Sequence, residues 1–244
     1  MGTVIAVTSG KGGTGKTSIT GGVAACLAQL GQRVLCIDMD IGLRNLDITL
    51  GLSDRALMDF ADVALGRCPL ARAAVSHPEL KNLALLTAPM SLPAGLTADK
   101  VRALLSTARG LYDYILIDSP AGLGPGFRLA TCAADRALVV ATNDASSLRD
   151  AQRVVAELSQ LRQIHLVMNR IQPKLLRKLR TTIDDAMNAA GLPLIGVVPE
   201  DPQVMLCANL GLPLSSQGHR GAALACRNIA LRLTGQQVPI MRIR

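Results

Sequence analysis

Between Thr8 and Ser18 the chain reads TSGKGGTGKTS, which fits G-x-x-x-x-G-K-[ST] with Gly10, Gly15, Lys16 and Thr17 at the fixed positions. Residues of these types at this spacing make a phosphate cradle. Glycines carry no β-carbon, so successive backbone N–H groups can turn inward around phosphate oxygens. A helix beginning at the loop adds about half a positive charge at its N-terminus. Lys16 then reaches the β- and γ-phosphates, and the Thr17 hydroxyl ligates Mg²⁺. Gly12, Gly13, Thr14 and Ser18 complete the expected nucleotide-binding run. One lysine is enough for this task. Lys11, a second one inside the glycine-rich turn, has no evident local role.

Three carboxylates stand where such a loop needs them. VLCIDMDIG carries Asp38 and Asp40 two residues apart, so in an extended chain they point the same way. YILIDSPAG delivers Asp118 at the tip of an apolar run, placed to hold Mg²⁺ through a water as a Walker-B aspartate does. Asp38 is also suited to capping the loop that follows it. The glycines of SPAGLGPGF (Gly122, Gly124, Gly126) suggest a dinucleotide fingerprint, but that pattern opens a helix directly after the first strand. Here they follow Asp118 and Pro125 interrupts them, so the expectation is a switch loop that senses the γ-phosphate.

The elements that must position these groups are legible as alternating patterns. Short Val-, Ile- and Leu-rich runs predict strands at Val4–Val7, Val34–Ile37, Leu83–Leu86, Tyr114–Ile117, Ala137–Ala141, Ile164–Met168 and Leu194–Val198. Helical spacing predicts helices at Ser18–Leu30, Leu57–Leu65, Thr97–Ala108, Ser147–Leu161, Ile183–Ala190 and Gly221–Leu233. Alternation of this kind implies an α/β fold, a mainly parallel twisted sheet with helices on both faces. Ligands in such sheets sit beyond the carboxyl ends of the strands. No repeat, low-complexity tract or linker divides the chain, so residues 1–244 are expected to form one domain, with 235–244 as a tail.

Composition narrows the function classes. The 244 residues are 49% hydrophobic and 18% charged, with no apolar run long enough to span a membrane. The N-terminus enters strand-like sequence at once, so no secretory signal is expected. Six cysteines form no C-x-x-C pair and three histidines are scattered, which favours buried reduced thiols over a metal site. A net charge of +8 suggests affinity for phosphates, DNA or anionic lipid. Part of it lies in KLLRKLR (Lys174 to Arg180), which also reads as a solvated helix face. With 2% aromatic residues, stacking platforms for single-stranded nucleic acid are not expected.

Together the segments SGKGGTGKTS, DMDIGLRNLDITLGL, IDSPAGL, SSLRDA, NRIQP and VVPEDPQVMLCANLGLPL resemble the MinD/ParA family of deviant Walker-A P-loop ATPases. The resemblance runs over nearly the whole chain and is to the cell-division side of that family. It implies an ATP-dependent sandwich dimer in which Lys11 crosses to the phosphates held by the other subunit. A cation supplied in trans acts as an arginine finger does, at about 10³–10⁵-fold in rate. By the same resemblance Asp40 positions the attacking water, so Lys11, Lys16 and Asp40 are the catalytic set. Asn45 and Gly122 lie at the dimer or switch face, and Asp118 is the switch carboxylate linked to Mg²⁺.

Asn169 and Arg170, with Pro199, Glu200 and Asp201, match the family's adenine-side segments. The guanine motif N-K-x-D is replaced by NRIQ, which favours ATP over GTP. Arg149 and Asp150, on the helix opened by SSLRDAQRVV, match a surface that faces regulatory partners; an amphipathic helix with a polar side gives the same pattern. The implied cofactors are ATP and Mg²⁺, and the implied partners are division-inhibitor and activator proteins of the Min type. The location implied is cytoplasmic or peripheral on the inner face of the cell membrane. Membrane contact is implied only for a chain carrying a C-terminal amphipathic helix, and the five residues Ile240 to Arg244 are too few to supply one. A DNA- or cargo-positioning ATPase of the ParA type is the alternative, with DNA binding not expected. A metal-cluster carrier lacks paired cysteines, and a tyrosine kinase lacks a tyrosine-rich tail, since Tyr112 and Tyr114 are the two tyrosines.

Overall fold

The computed structural model describes residues 1–241. Seven strands run parallel in the order β4-β2-β5-β1-β6-β7-β8, and a two-residue strand β3 pairs antiparallel with β4 at the edge. The central strands are β1 (Thr3–Thr8), β2 (Val34–Asp38), β5 (Tyr114–Asp118) and β6 (Arg136–Ala141). β3 (Val75–Ser76) and β4 (Leu83–Leu86) flank them on one side, β7 (Gln163–Ile171) and β8 (Leu194–Pro199) on the other. All seven predicted strands are present. β3 was not foreseen, since two residues carry no periodicity.

Side chains alternate between the two faces, as a pleated strand requires. Ile5, Val7, Leu116, Leu138 and Val140 enter the core under α1 (Lys16–Gln29) and α11 (Gly221–Leu233). Val4, Ile115 and Ile117 enter the opposite core, under α3 (Phe60–Ala64), α4 (Leu70–Ala73) and α5 (Ala98–Leu111). Ala137, Val139 and Ala141 face a third cluster built with α7 (Ala145–Glu157) and α9 (Ile183–Ala190). Burial on both faces is why these strands read as continuous apolar runs.

α1 is buried nearly all round because α11 covers it. A β-carbon on Gly22 would lie 2.8 Å from the Cys226 sulfur, so a residue without one lets the two helices approach. Cys26, Cys36, Cys68, Cys207 and Cys226 are buried and Cys132 is half-buried, all as free thiols. Burial pushes the Cys26 thiol up to about 12, which keeps it protonated and inert.

Several short helices escaped the periodicity reading: α2 (Leu46–Thr49), α4, α6 (Pro125–Thr131), α8 (Pro173–Leu179) and α10 (Pro202–Leu210). Three of these place proline at the first turn, where its missing N–H costs nothing. α8 carries the basic KLLRKL run and buries none of its residues, the solvated face that its sequence allowed. The predicted helix at Leu57–Leu65 begins at Phe60 instead. Asp59 caps it by accepting from the amides of Ala61 and Asp62, and Leu57 stays in the open. Of the expected tail, residues 235–241 form no regular element, and 242–244 lie outside the described residues. No described helix is long and apolar enough to cross a membrane.

Candidate nucleotide site

β1 lies at the centre of the sheet, between β5 and β6, so its loop opens where strands from both halves end. The loop enters α1 through Gly15, whose φ of 88° is the left-handed conformation that glycine tolerates best. A β-carbon there would also meet Asn169 Nδ2 at 2.3 Å, and one on Gly10 would press on the backbone of Asp150. Around Gly12 and Gly13 there is open space. The predicted phosphate run is thus held from outside by Asn169 and Asp150, with its middle left clear.

Polar groups converge on this loop. Thr17 Oγ1 donates to Asp118 Oδ2 at 2.6 Å, and Thr20 Oγ1, one turn further along α1, lies 3.3 Å from Asp118 Oδ1. Thr20 was not singled out in the sequence, although its i+3 spacing from Thr17 places both hydroxyls on one helix face. Asp38 and Asp118 end neighbouring strands in register. Asp38 accepts from the amides of Asp40 (2.9 Å) and Leu46 (3.2 Å), so it does cap the loop, and in doing so it fixes the turn that carries Asp40 and Asn45. Asn45 is exposed on that turn. Gly122, at φ 80°, donates its N–H to the Ser9 carbonyl and so ties the segment after β5 to the phosphate loop. The glycine run is only in part a loop, because Pro125 starts α6 within it.

Burial sets the electrostatics. It pushes the Asp118 carboxyl up to about 7; the Thr17 hydrogen bond and the Lys16 charge oppose this, and the Asp38 charge reinforces it. Asp38 rises to about 6 through burial, against the two amides it accepts from. Asp40 is raised by burial and opposed by Lys16. Lys16 is itself buried, at 7% exposure, and its charge acts on Asp40 and Asp118.

Lys11 has a local partner that its sequence position did not reveal. Its Nζ lies 2.7 Å from Asp144 Oδ1 and 2.9 Å from Ser146 Oγ, across the sheet end at the start of α7. Asp144 also caps α7 by accepting from the Ser147 amide at 2.9 Å. Burial works to raise this carboxyl, but the bonds from Lys11, Thr142, Ser146 and Ser147 outweigh it and hold it well below the usual carboxylate range. Arg149 is exposed on α7, and Asp150 pairs with Arg153 at 3.3 Å.

A cleft of about 440 Å³ runs from Gly13, Gly15 and Ser18 to Asn169 and the Pro199–Asp201 turn, bringing the expected base-side residues together. Asn169 Nδ2 donates one of its two hydrogens to the Thr14 carbonyl at 2.8 Å. Arg170 pairs with Glu200 at 2.7 Å. Asp201 caps α10 and also accepts from the Ala222 amide at the start of α11.

The residues present fit a Mg²⁺–nucleotide. Thr14 Oγ1 is buried inside the loop without a hydrogen-bond partner among the described residues, as a group awaiting a phosphate oxygen would be. Thr17 and Asp118 offer the hydroxyl and carboxylate oxygens that Mg²⁺ takes, and Lys16 the cation for the phosphates.

Residues 5–214 match the family model described as the CobQ/CobB/MinD/ParA nucleotide binding domain. The chain is 38% identical, over 99% of its length and 92% of the relative's, to a septum site-determining protein MinD of Synechocystis. Among solved structures it superposes on the MinD chain of an Aquifex aeolicus MinC:MinD cell division protein complex with a TM-score of 0.91, at 38% identity and 98% coverage of both chains. A Pyrococcus horikoshii MinD, solved with Mg-ADP, gives 0.83 at 28% identity and 96% coverage of both.

Proposed function

The chain belongs to the CobQ/CobB/MinD/ParA nucleotide-binding family as a MinD-like ATPase of division-site placement, and from that premise we propose that it works as an ATP-switched homodimer. The observation that supports this reading is the disposition of the two loop lysines. Lys16 lies buried within reach of the Asp40 and Asp118 charges, whereas Lys11 turns away from them to Asp144. A lysine directed out of its own phosphate loop, and held there by a part-exposed ion pair, can be drawn off by a second molecule's phosphate.

Lys16 and the loop amides would hold the triphosphate, and Thr17 and Asp118 are the residues that would hold Mg²⁺. Mg²⁺, when bound, neutralises charge on the phosphates. Asp40 orients the attacking water, and Asp38 fixes the turn on which Asp40 sits. Lys11 leaves Asp144 and reaches the γ-phosphate of the twin subunit, where it offsets charge that develops in phosphoryl transfer. Asn45 and Gly122 face the twin. Asn169, Arg170, Pro199, Glu200 and Asp201 enclose the adenine.

The MinD of Aquifex aeolicus is solved in complex with MinC, and we assign this chain partners of the same Min type, meeting α7 at Arg149 and Asp150. The protein works in the cytoplasm, and membrane contact depends on a C-terminal amphipathic helix. The partition-ATPase alternative has less support, since the curated relatives at 37–39% identity are septum-site proteins. Mass in solution, measured with ADP and with a non-hydrolysable ATP analogue, tests the switch. Doubling with the analogue alone is expected, and one mass under both conditions removes the reading.

A further inference from the structure

Opposite the phosphate loop, at the N-terminal edge of the sheet, a cleft of about 640 Å³ opens between β6, β7, β8 and the end of α11. Arg136 at the start of β6, Arg162 just before β7, His165 within β7 and Arg232 on α11 all line it, and among the described residues no Asp or Glu does. The nearest acids in sequence are already taken, Asp113 by Arg33 and Asp135 by Arg109. Among the described residues, none of the three lining arginines has a carboxylate within salt-bridge distance.

Part of this charge has a structural use. Arg136 and Tyr114 donate to the Leu233 carbonyl, and Arg232 donates to the carbonyls of Ile195, Val238 and Pro239. Cations at a helix C-terminus offset the negative end of its dipole. The balance is unequal, however. One helix end carries about half a unit of negative charge, against three guanidinium groups. Donors remain as well, since each guanidinium has five N–H groups. Among the described residues Arg136 uses one nitrogen and Arg162 uses none. His165 Nδ1 is buried beside them with no hydrogen-bond partner.

An orphaned ring nitrogen and unspent guanidinium donors, without a nearby carboxylate, are what an anion site looks like from the protein's side. We propose that this cleft is a second anion site, distinct from the nucleotide loop, that binds a phosphate-bearing group. Arg162 and Arg136 supply charge-assisted donors, and the His165 ring lines the cleft beside them, where it senses a bound anion. Burial and the Arg136 charge hold the imidazole pKa below its usual value, and a bound anion offsets the Arg136 charge. Arg232 links the cleft to the segment at residues 238–239, so occupancy is felt where the chain leaves α11. The phosphate has two sources that chemistry alone does not separate, a soluble phosphate ester and a phospholipid headgroup.

Histidine side-chain NMR suits the test, because the chain has three histidines. His77, whose Nδ1 accepts from the amides of Glu79 and Leu80, serves as an internal reference. Inorganic phosphate is titrated into protein saturated with Mg²⁺–ADP, so that the nucleotide loop is occupied; failure of the nucleotide reading would show separately as lost ADP binding. A saturable shift of His165 alone is expected, with affinity falling about tenfold in Arg162→Gln, the loss of one charge-assisted bond. No saturable shift, or an unchanged titration in that variant, overturns the proposal. Sedimentation with phosphatidylcholine vesicles, with and without phosphatidic acid, separates the sources. Pelleting that needs phosphatidic acid and falls in Arg162→Gln assigns the lipid headgroup. A His165 response without such pelleting assigns the soluble ester.

Discussion

The Lys11 ammonium lies 2.7 Å from Oδ1 of Asp144, the residue that caps α7, so the second lysine of the phosphate loop is tied within its own chain. This contact and the proposed one in trans exclude each other, because one Nζ cannot serve two sites. Both side chains are part exposed, and pairs of this kind contribute about 0–1 kcal/mol. A triphosphate is a far stronger attraction, so the tether is weak enough to yield.

Removing the charge while keeping the cap separates the two roles of Asp144. Asp144→Asn still accepts from the Ser147 amide, so thermal stability stays within about 1 kcal/mol of wild type. Dimerisation with an ATP analogue is expected at lower protein concentration, as read by sedimentation. Lys11→Ala keeps nucleotide affinity and loses turnover; wild-type turnover would return this lysine to the role of a loop residue tied to α7.

Lys16→Ala leaves the β- and γ-phosphates without their buried counter-ion. Calorimetry is expected to show no measurable ATP binding, and unchanged affinity would contradict the cradle assignment.

Asp40→Ala retains ATP binding, because Asp40 sits on the turn after β2 and not in the phosphate loop. The variant accumulates as an ATP-loaded dimer that does not turn over. A monomer with ATP, or persistent phosphate release, removes its water-positioning role.

Gly15→Ala places a methyl group 2.3 Å from Asn169 Nδ2 and forces a non-glycine residue into φ 88°. The left-handed conformation alone costs roughly 1–2 kcal/mol, and Asn169 cannot retreat without giving up its bond to the Thr14 carbonyl. A lower Tm and weakened ADP binding are expected. Gly12→Ala, with nothing within 4 Å of its added carbon, keeps the wild-type Tm.

Stability of the metal- and nucleotide-free protein falls as pH rises through the range between the unfolded and folded values of Asp118. The folded pKa of about 7 lies above the ordinary value of about 3.9, so the native state binds the extra proton. The stabilisation is complete below the lower value and lost above the upper one. Asp118→Asn should flatten this slope, leaving the smaller part due to Asp38, and raise Tm in mildly alkaline buffer. The Thr17 and Thr20 hydroxyls can accept from the new amide. Unfolding curves across pH check the slope, and Mg²⁺-dependent turnover is lost in the same variant.

The sequence carried the seven long strands and the five long helices after them because burial on one or both faces writes itself into apolar spacing. It carried the phosphate loop because only glycine, lysine and threonine at those positions let a backbone wrap a phosphate. Asp118 was legible as well, an acid at the tip of an apolar run. The short helices stayed hidden because four to nine residues, partly exposed and opened by proline, give too little periodicity to read. The partners of the site were hidden for a different reason. Asp144 is 133 residues from Lys11 and Asn169 is 155 residues from Thr14, and no local pattern couples them. The order of strands in the sheet brings the ends of β6 and β7 beside the loop after β1. That juxtaposition gave Lys11 its partner and required glycine at positions 10 and 15. It also gathered three arginines and an unpaired imidazole at the far edge. Spacing along a chain reports what each segment can become; which charges end up facing each other is decided when the segments pack.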